Sequence, residues 1–319
     1  MDFIGLTMVK NEEDIIEQFV RHNLQYFKKL YVFDHSSCDN TVPILTKLAG
    51  EGLPIVMVYD PQKFFVGYAQ AEVMTSVLRL AIRDNGPAAY FPIDADEFLY
   101  LKTDVEELRQ QIAALPGNAI MNVPLLSMAF PPEAGEELFV DAPKSFSLLE
   151  KWDKNTGLDV KLVVKVVDPA IGDQLMLAQG NHNAHLNGIK IQKDYSCDAL
   201  RYIHVPVRSP EQAFRKFVCG WLSNVQKFGR NSGYASHWKI AFDKICEEDA
   251  YANTALAHML NSIYTGPVNI ENDFEPVDTQ SLFKYELAYR DMRKKGLSVI
   301  LRNIEADFDS LFAKMSQKT

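Results

Sequence analysis

The sequence predicts an α/β fold built on a mixed, mainly parallel sheet flanked by helices, with a helical appendage toward its C-terminal end. Three observations predict it. Over roughly the first hundred residues, short apolar runs alternate with amphipathic helical patterns, the signature of βαβ units. The polar clusters Lys10-Asn11-Glu12, Asp34 to Asp39 and Asp94 to Glu97 each follow an apolar run. In a parallel sheet these are the carboxyl ends of strands, where ligands bind. Finally, beyond about residue 230 the pattern is helical and free of strands.

The elements follow in order. Phe3 to Val9 reads as a strand, and Asn11-Glu12-Glu13-Asp14 opens a helix with Ile15, Ile16, Phe19, Val20 and Phe27 on one side. Leu30 to Phe33 is a second strand. Asp39 and Asn40 are placed to cap a helix through Leu48, stopped by Gly50 and Gly52. Pro54 to Tyr59 is a third strand, Ala69 to Arg83 a helix, and Ala88 to Phe91 the strand that feeds Asp94. Asp104 to Leu115 is helical. Residues Asn118 to Gln179 are β-rich, with strands at Ile120 to Val123, Leu138 to Val140 and Lys161 to Val167. Asn181 to Gly188 reads as a polar loop and Ala199 to Val205 as a last strand. Ser209-Pro210-Glu211-Gln212 then starts a helix to Phe228, with Ser as N-cap and Pro at the first helical position. Further helices are expected at Trp238–Cys246, Asp249–Tyr264 and Thr279–Met315. The organisation expected is a ligand-binding domain over 1–230 and a helical region over 231–319.

Composition narrows the function classes. The 319 residues are 47% hydrophobic and 24% charged, ordinary values for a globular protein with a sizeable core. A formal net charge of -9 argues against general binding to nucleic acid or to anionic membrane. The four cysteines, Cys38, Cys197, Cys219 and Cys246, show no CxxC and no zinc-like spacing. They read as reduced thiols, which with an N-terminus too quickly charged for a secretory signal gives a cytoplasmic expectation. No apolar run reaches membrane-spanning length, so membrane contact is expected to be peripheral at most.

The chemistry centres on Asp94-Ala95-Asp96. A buried strand ending in Asp-x-Asp delivers two carboxylates to a sheet edge, where they can hold a hard divalent cation that in turn holds a diphosphate. Carboxylates that close repel one another unless a cation compensates them. Backbone groups of Thr7 to Glu12 can frame a nucleotide base, and Lys10 can meet a phosphate or an acidic side chain. Asn11 equally fits as a helix cap, with Glu12 to Asp14 favouring the helix's positive end. The run Asp34-His35-Ser36-Ser37-Cys38-Asp39-Asn40 offers short acceptors for ribose hydroxyls or a base edge, and a turn with an N-cap explains it as well.

Met8-Val9-Lys10-Asn11-Glu12, Phe33-Asp34-His35-Ser36-Ser37-Cys38-Asp39-Asn40-Thr41 and Ile93-Asp94-Ala95-Asp96-Glu97-Phe98, in this order and spacing, resemble the glycosyltransferase family 2-like group of GT-A enzymes. Gly180-Asn181-His182 and Ile203-His204-Val205-Pro206-Val207-Arg208-Ser209 extend the resemblance more weakly, to about residue 220. It implies a nucleotide-diphosphate sugar donor, UDP- or GDP-linked, Mn²⁺ or Mg²⁺, and inverting transfer of the sugar to an acceptor hydroxyl. By position, the resemblance gives Asp34 and its neighbours Ser36 and Asp39 to the nucleotide, with Thr7, Lys10, Asn11 and Glu12. Asp94 and Asp96 would serve ribose, donor sugar and metal. Such sites add a later histidine to the metal: His182 is preferred, on a loop able to fold over the diphosphate, with His204 the second candidate and His185 the third.

Arg208 stands at the start of the helix that follows, where a cation and the helix N-terminus can neutralise a leaving diphosphate. Arg215 and Lys216 lie about two turns further in and are expected to be less well placed. An inverting transfer also needs a carboxylate base. Glu133, Glu136, Glu137, Asp141, Glu150 and Asp153 fall in the zone for it, and Asp153, beside Trp152, is named for that role. The acceptor stays open among saccharides, lipid-linked molecules and proteins. The helical tail is open to covering the acceptor cleft, self-association as a homo-oligomer, or docking a partner.

Other classes fit less well. A nucleotidyltransferase would show a glycine-rich phosphate loop, yet Thr7 to Glu12 contains no glycine. A phosphohydrolase with an aspartyl nucleophile expects Thr or Val where Glu-Phe-Leu follows Asp96. A non-catalytic nucleotide-sugar-binding module shares the same fold and is separated only by turnover.

Overall fold

The computed structural model describes residues 1–59, 69–129, 147–149, 160–191, 195–197, 199–231, 236–247, 254–265, 284–292, 299–302, 304–306 and 308–309. The expected strand at Leu138 to Val140, all six candidate base carboxylates, Trp152 and most of the expected helix Thr279–Met315 lie outside them.

The first half follows the alternation in the sequence: β1 Phe3–Val9, α1 Ile16–Asn23, β2 Lys29–Asp34, α2 Thr41–Gly50, β3 Ile55–Val58, α3 Gln70–Asn85 and β4 Ala88–Pro92. These strands pair in parallel in the order β3-β2-β1-β4. After β4 comes β5 Glu97–Leu101, which the sequence reading missed because its apolar residues follow the Asp-x-Asp turn without a gap. Then follow α4 Val105–Ala114, β6 Ala119–Ala129, β7 Ser147–Leu149, β8 Val160–Val166, β9 Leu175–Leu177, β10 Ala184–Leu186, β11 Ile189–Lys190, β12 Tyr195–Ser196 and β13 Leu200–His204. The sheet continues from β4 through β8, β6 and β13 to β5, with β8 antiparallel to both neighbours and β5 antiparallel to β13. Strands β9 to β11 form a small separate sheet, so part of the expected loop at Asn181 to Gly188 is a strand. The helices α5 Pro210–Phe228, α6 Ser236–Glu247 and α7 Thr254–Thr265 follow.

Strand alternation sorts the core into two layers. From β1, Phe3 and Val9 enter the cluster with α1, α2, α4 and the C-terminal helices, while Ile4 and Leu6 enter the cluster with α3 and β9. Gly5 faces the first layer because the Phe27 ring lies there: a Cβ on Gly5 would come within 2.4 Å of it. Phe27 thus belongs to the expected core but stands beyond the end of α1. The C-terminal helices share this layer through Phe217, Trp221, Trp238, Ala241 and Leu260. The whole is a Rossmann-like α/β architecture with helices on both faces of a mixed sheet. Among the described residues, no helix is long and apolar enough to cross a membrane.

Helix α1 also covers the backbone of β5. Asn23 Nδ2 donates to the Glu97 carbonyl (3.1 Å), its Oδ1 accepts from Leu99 N (3.0 Å), and His22 Nε2 lies 2.7 Å from the Leu99 carbonyl. These bonds supply what a neighbouring strand would otherwise give an edge. Phe98, fully buried, sets its ring edgewise against Phe19 and His22. Burying a side chain of this size stabilises by roughly 1.5–3 kcal/mol, and here it anchors the residue just after the Asp-x-Asp turn.

Candidate active site

The ends of β1 and β2 are laced together. Asn11 N donates to Ser37 Oγ (2.9 Å) and Asn11 Oδ1 accepts from Cys38 N (2.8 Å). Glu12 N donates to Thr41 Oγ1 (2.7 Å) and Glu13 N to Asp39 Oδ2 (3.2 Å). Asn11 and Ser36 both hold positive φ, 59° and 62°. Asn tolerates this region better than Ser does, and such strain persists only where surroundings impose it. Asp34 is half-buried at the end of β2, accepts from Ser37 N, and has its pKa raised by burial. Lys10 is half-buried and Ser36 exposed. Thr7 is fully buried inside β1, its hydroxyl without a protein partner. Asp39 Oδ1 accepts from Thr41 N (2.9 Å) at the start of α2, while Asn40 holds the N-cap position without a side-chain cap bond.

Asp94 sits in a fixed setting. Its Oδ1 accepts from Gln70 Nε2 (2.7 Å) and Asn181 Nδ2 (3.1 Å), and its Oδ2 from Lys161 Nζ (2.6 Å). Lys161 also reaches Glu97 Oε1 (2.8 Å) and the Gly180 carbonyl (2.8 Å). Glu97 closes the turn by accepting from Asp94 N (3.0 Å). Burial disfavours charge on Lys161, but Asp94 and Glu97 outweigh it and raise its pKa. Burial pushes Glu97 up to about 8; Asp94 and Asp96 reinforce the shift and Lys161 opposes it.

Asp96 stands among cations. Its Oδ2 lies 2.6 Å from Lys216 Nζ, 3.4 Å from His204 Nε2 and 3.8 Å from Arg208 Nη1, whereas its Oδ1 takes no hydrogen bond among the described residues. Burial works against its ionisation, yet Lys216, His204 and Arg208 hold its pKa well below the carboxylate range. Burial lowers the pKa of His204 against the pull of Asp96, which favours the neutral imidazole. Its Nδ1 is 3.5 Å from Ser127 Oγ. Arg208 is 2% exposed and is gripped by Asp14 (2.6 and 3.0 Å) and Glu12 (2.6 Å), while its Nη1 makes no hydrogen bond. Ser209 caps α5 by accepting from Gln212 N (3.2 Å).

The structure therefore brings Asp94, Asp96, Glu12, Arg208 and His204 together and sets the Asp34–Asp39 loop alongside through Asn11. His182 follows Asn181, which bonds Asp94; its Nδ1 lies 2.8 Å from the Val160 carbonyl, and its ring packs over Gly180. Asp153 lies outside the described residues. The sequence reading missed Lys161, Gln70 and Asn181 as partners of Asp94. It also set Arg215 and Lys216 aside, yet Lys216 touches Asp96 and Arg215 Nη2 donates to the Asn11 carbonyl (2.6 Å). Helical side chains tilt toward the N-terminus, so long cations two turns in reach the helix start. For Lys161 a signal existed: a lysine inside a buried alternating strand demands a carboxylate.

A divalent cation fits this donor set. Glu12, Asp14, Asp39, Asp94, Asp96 and Glu97 face Lys161, Arg208, Arg215 and Lys216. Burial raises the pKa of Glu12 to about 7 and that of Glu97 to about 8, so the fit rests on individual ligand atoms and not on an excess of negative charge. Among the described residues no cluster of three or more His, Cys, Asp or Glu side chains is arranged as a complete metal cage. A hard cation that keeps waters and takes substrate phosphates needs only one or two protein ligands, here Asp96 through its open Oδ1 and His204. A cavity of about 380 Å³ lined by Phe33, Val58, Val73, Val77 and Arg79 opens between β2, β3 and α3. It holds none of these converging charges.

No protein-family model matches the chain, and no curated protein matches its sequence. Among solved structures it is similar to S. aureus TarS 1–349, at 12% identity over 75% of this chain and 69% of that one, TM-score 0.34. Glucosyl-3-phosphoglycerate synthase from Mycobacterium tuberculosis, in complex with Mn²⁺, uridine diphosphate and glucosyl-3-phosphoglycerate, is similar at 14% identity over 39% of this chain and 44% of that one, TM-score 0.28. CMP:2-keto-3-deoxy-manno-octonic acid synthetase complexed with CTP is similar at 11% identity over 55% of this chain and 77% of that one, TM-score 0.31. Likenesses this distant assign no activity, and the functional reading rests on the geometry above.

Proposed function

We propose that the chain is a glycosyltransferase that moves a sugar from a nucleotide-diphosphate sugar, UDP- or GDP-linked, to an acceptor hydroxyl with inversion, in the presence of Mn²⁺ or Mg²⁺. The observation that carries this is the cluster at the strand ends: Asp96 with one open carboxylate oxygen, His204 beside it, and Arg208, Arg215 and Lys216 converging at the start of α5. A bound cation supplies Lewis-acid stabilisation of the leaving diphosphate. Asp96 and His204 are the residues that would hold it.

The rest of the work falls to the protein. Three donors occupy Asp94, and a carboxylate has about four acceptor sites, so one remains to orient a sugar or ribose hydroxyl. The laced loops Lys10–Glu12 and Asp34–Asp39 offer backbone and side-chain groups to the nucleoside. The converging cations meet charge that grows on the departing phosphate, the kind of stabilisation that most lowers such barriers. Asp153 keeps the proposed role of removing the acceptor proton.

The test is thermal stability with UDP and GDP, with and without Mn²⁺ or Mg²⁺, followed by product analysis. A nucleotide-induced rise that requires the cation and release of nucleoside diphosphate support the reading. No shift under any condition refutes the donor site. Release of pyrophosphate makes the protein a nucleotidyltransferase, and a shift without product on any acceptor makes it a binding module.

A further inference from the structure

Part of the C-terminal region lies against the loop proposed to hold the nucleoside. Its segment 284–292 is anchored on α1 by one carboxylate: Glu17 accepts from Ala288 N through Oε1 (2.8 Å) and from Tyr289 N through Oε2 (2.9 Å). Glu17 is buried, and Arg21 Nε also holds its Oε1 (3.0 Å). A buried carboxylate persists only where donors satisfy it, and two of these donors belong to the segment. Leu287 adds a buried side chain to the layer that holds α1 and α2, and the Tyr289 hydroxyl donates to Glu51 Oε1 (2.5 Å) at the end of α2.

Beyond this anchor the chain meets the loop itself. Asn40 Nδ2 donates to the Met292 carbonyl, and Cys38 Sγ lies 3.5 Å from the Val299 carbonyl. Val299 and Ile300 are buried. The same two loop residues turn their backbone to the end of β1, where Cys38 N donates to Asn11 Oδ1 and Asn40 N to Glu13 Oε2 (both 2.8 Å). The loop is thus tied by its backbone to the end of β1 and by its side chains to the C-terminal segment. Its shape needs such support, because Ser36 within it sits at φ 62°, where a non-glycine residue stays only when its surroundings impose it.

On the proposed function, we infer that the C-terminal segment is a strap that keeps the nucleoside loop in its binding shape, with Glu17 the positioning residue that fastens it. An apparent dissociation constant is the intrinsic one divided by the fraction of protein in the competent shape. Releasing the strap lowers that fraction and weakens nucleotide binding. The coupling is reciprocal, so a bound nucleotide tightens the strap on Glu17 by the same factor.

The test is UDP and GDP affinity by isothermal titration calorimetry in the presence of Mn²⁺, for the full chain and for Glu17→Gln and Ile112→Val. Glu17→Gln turns an amide –NH₂ toward a backbone N–H and should weaken the nucleotide by about tenfold. Ile112→Val thins the buried core beside α4 and should leave the affinity unchanged, which separates the strap from a general loss of stability. In the unmodified protein, amide exchange at Ala288 and Tyr289 should slow by about tenfold when the nucleotide is bound. Unchanged affinity in Glu17→Gln, or an equal loss in Ile112→Val, overturns the strap and leaves the donor site standing. Where Glu17→Gln does not fold, the exchange measurement decides: rates at Ala288 and Tyr289 that ignore the nucleotide overturn the strap. Absence of nucleotide binding by the unmodified protein removes the donor site and the strap together.

Discussion

Asp94 and Asp96 are separated by one residue, and the protein treats them as opposites. Around Asp94 the partners are two neutral amides and a lysine buried within the fold, of which Gln70 also accepts from Gly180 N and Lys161 also reaches Glu97 and the Gly180 carbonyl. Around Asp96 the partners are a histidine, a part-exposed lysine and a guanidinium nitrogen, all facing one of its two oxygens. The first carboxylate accepts through both oxygens and the second through one. An Asp-x-Asp motif is therefore not a symmetrical claw: burial and charge assign its two members different work.

The sharpest way to break this comparison is to remove each carboxylate in turn. Asp96→Ala should lower turnover by about 10³-fold, since it takes away both the open ligand and the focus of the surrounding cations. Its cation-dependent nucleotide stabilisation should vanish as well. Asp94→Asn should mainly weaken donor binding and leave the cation-dependent stabilisation in place. Nucleoside diphosphate release and thermal shift read the two effects, and identical behaviour of the two variants would refute the division of labour.

Next in size is the stability of the Asp94 side. Lys161→Met leaves the buried Glu97 and the half-buried Asp94 without their shared cation and should cost about 3–5 kcal/mol in urea unfolding. Glu97→Gln in that background should recover part of the loss. The pH response follows from signs. Glu97 is lifted from 4.5 to about 8, so the stability lent by its protonated form is complete below pH 4.5 and lost as pH rises to about 8. Asp96 is lowered, so its contribution is present above its ordinary value of 3.8 and lost as pH falls through its folded pKa. In metal-free buffer, the unmodified protein should lose stability relative to Glu97→Gln between about pH 5 and 8, by at most about 1.4 kcal/mol per pH unit. A flat difference would show that Lys161 keeps Glu97 charged throughout.

Much of this was legible in the sequence, and the gaps have physical causes. The strands β1 to β4 and helices α1 to α5 announce themselves by period and caps, and Ser209-Pro210 marks the start of α5 to the residue. Strand β5 was hidden because a buried strand has no alternation to display, and Glu97 inside it looked like part of a polar loop. Gln70 and Asn181 stand 24 and 87 residues from Asp94, and no local pattern announces a pairing made by sheet topology. Arg215 and Lys216 were discounted on helix position alone, which ignores that long side chains lean back one to two turns. The Asp-x-Asp motif itself was plain. Its asymmetry was not, because that asymmetry resides in partners brought from α3, β8, β13 and α5.

The smallest effect distinguishes the two histidines, and it sharpens the comparison because each belongs to a different side. The loop position of His182 suggested a ligand able to fold over a diphosphate, and its Nδ1 bond to the Val160 carbonyl fixes the ring as it would for a ligand, so what sets it apart from His204 is the packing of that ring. A Cβ on Gly180 would lie 2.7 Å from His182 Nε2, so the ring is packed against the segment that also receives Lys161. It is part of the fixed framework around Asp94. His204 ends β13, and its Nε2 points at Asp96 while Ser127 Oγ stands near Nδ1 as an acceptor that can hold the other ring proton. A ligand needs that arrangement. His204→Ala should therefore weaken Mn²⁺ binding in the presence of UDP by about 10–100-fold, the usual scale for disturbing a ligand or its support. His182→Ala should leave Mn²⁺ affinity unchanged and lower the melting temperature instead. If His182→Ala weakens the cation and His204→Ala does not, the cation side of the site is Asp94's and the assignment of the two carboxylates must be exchanged.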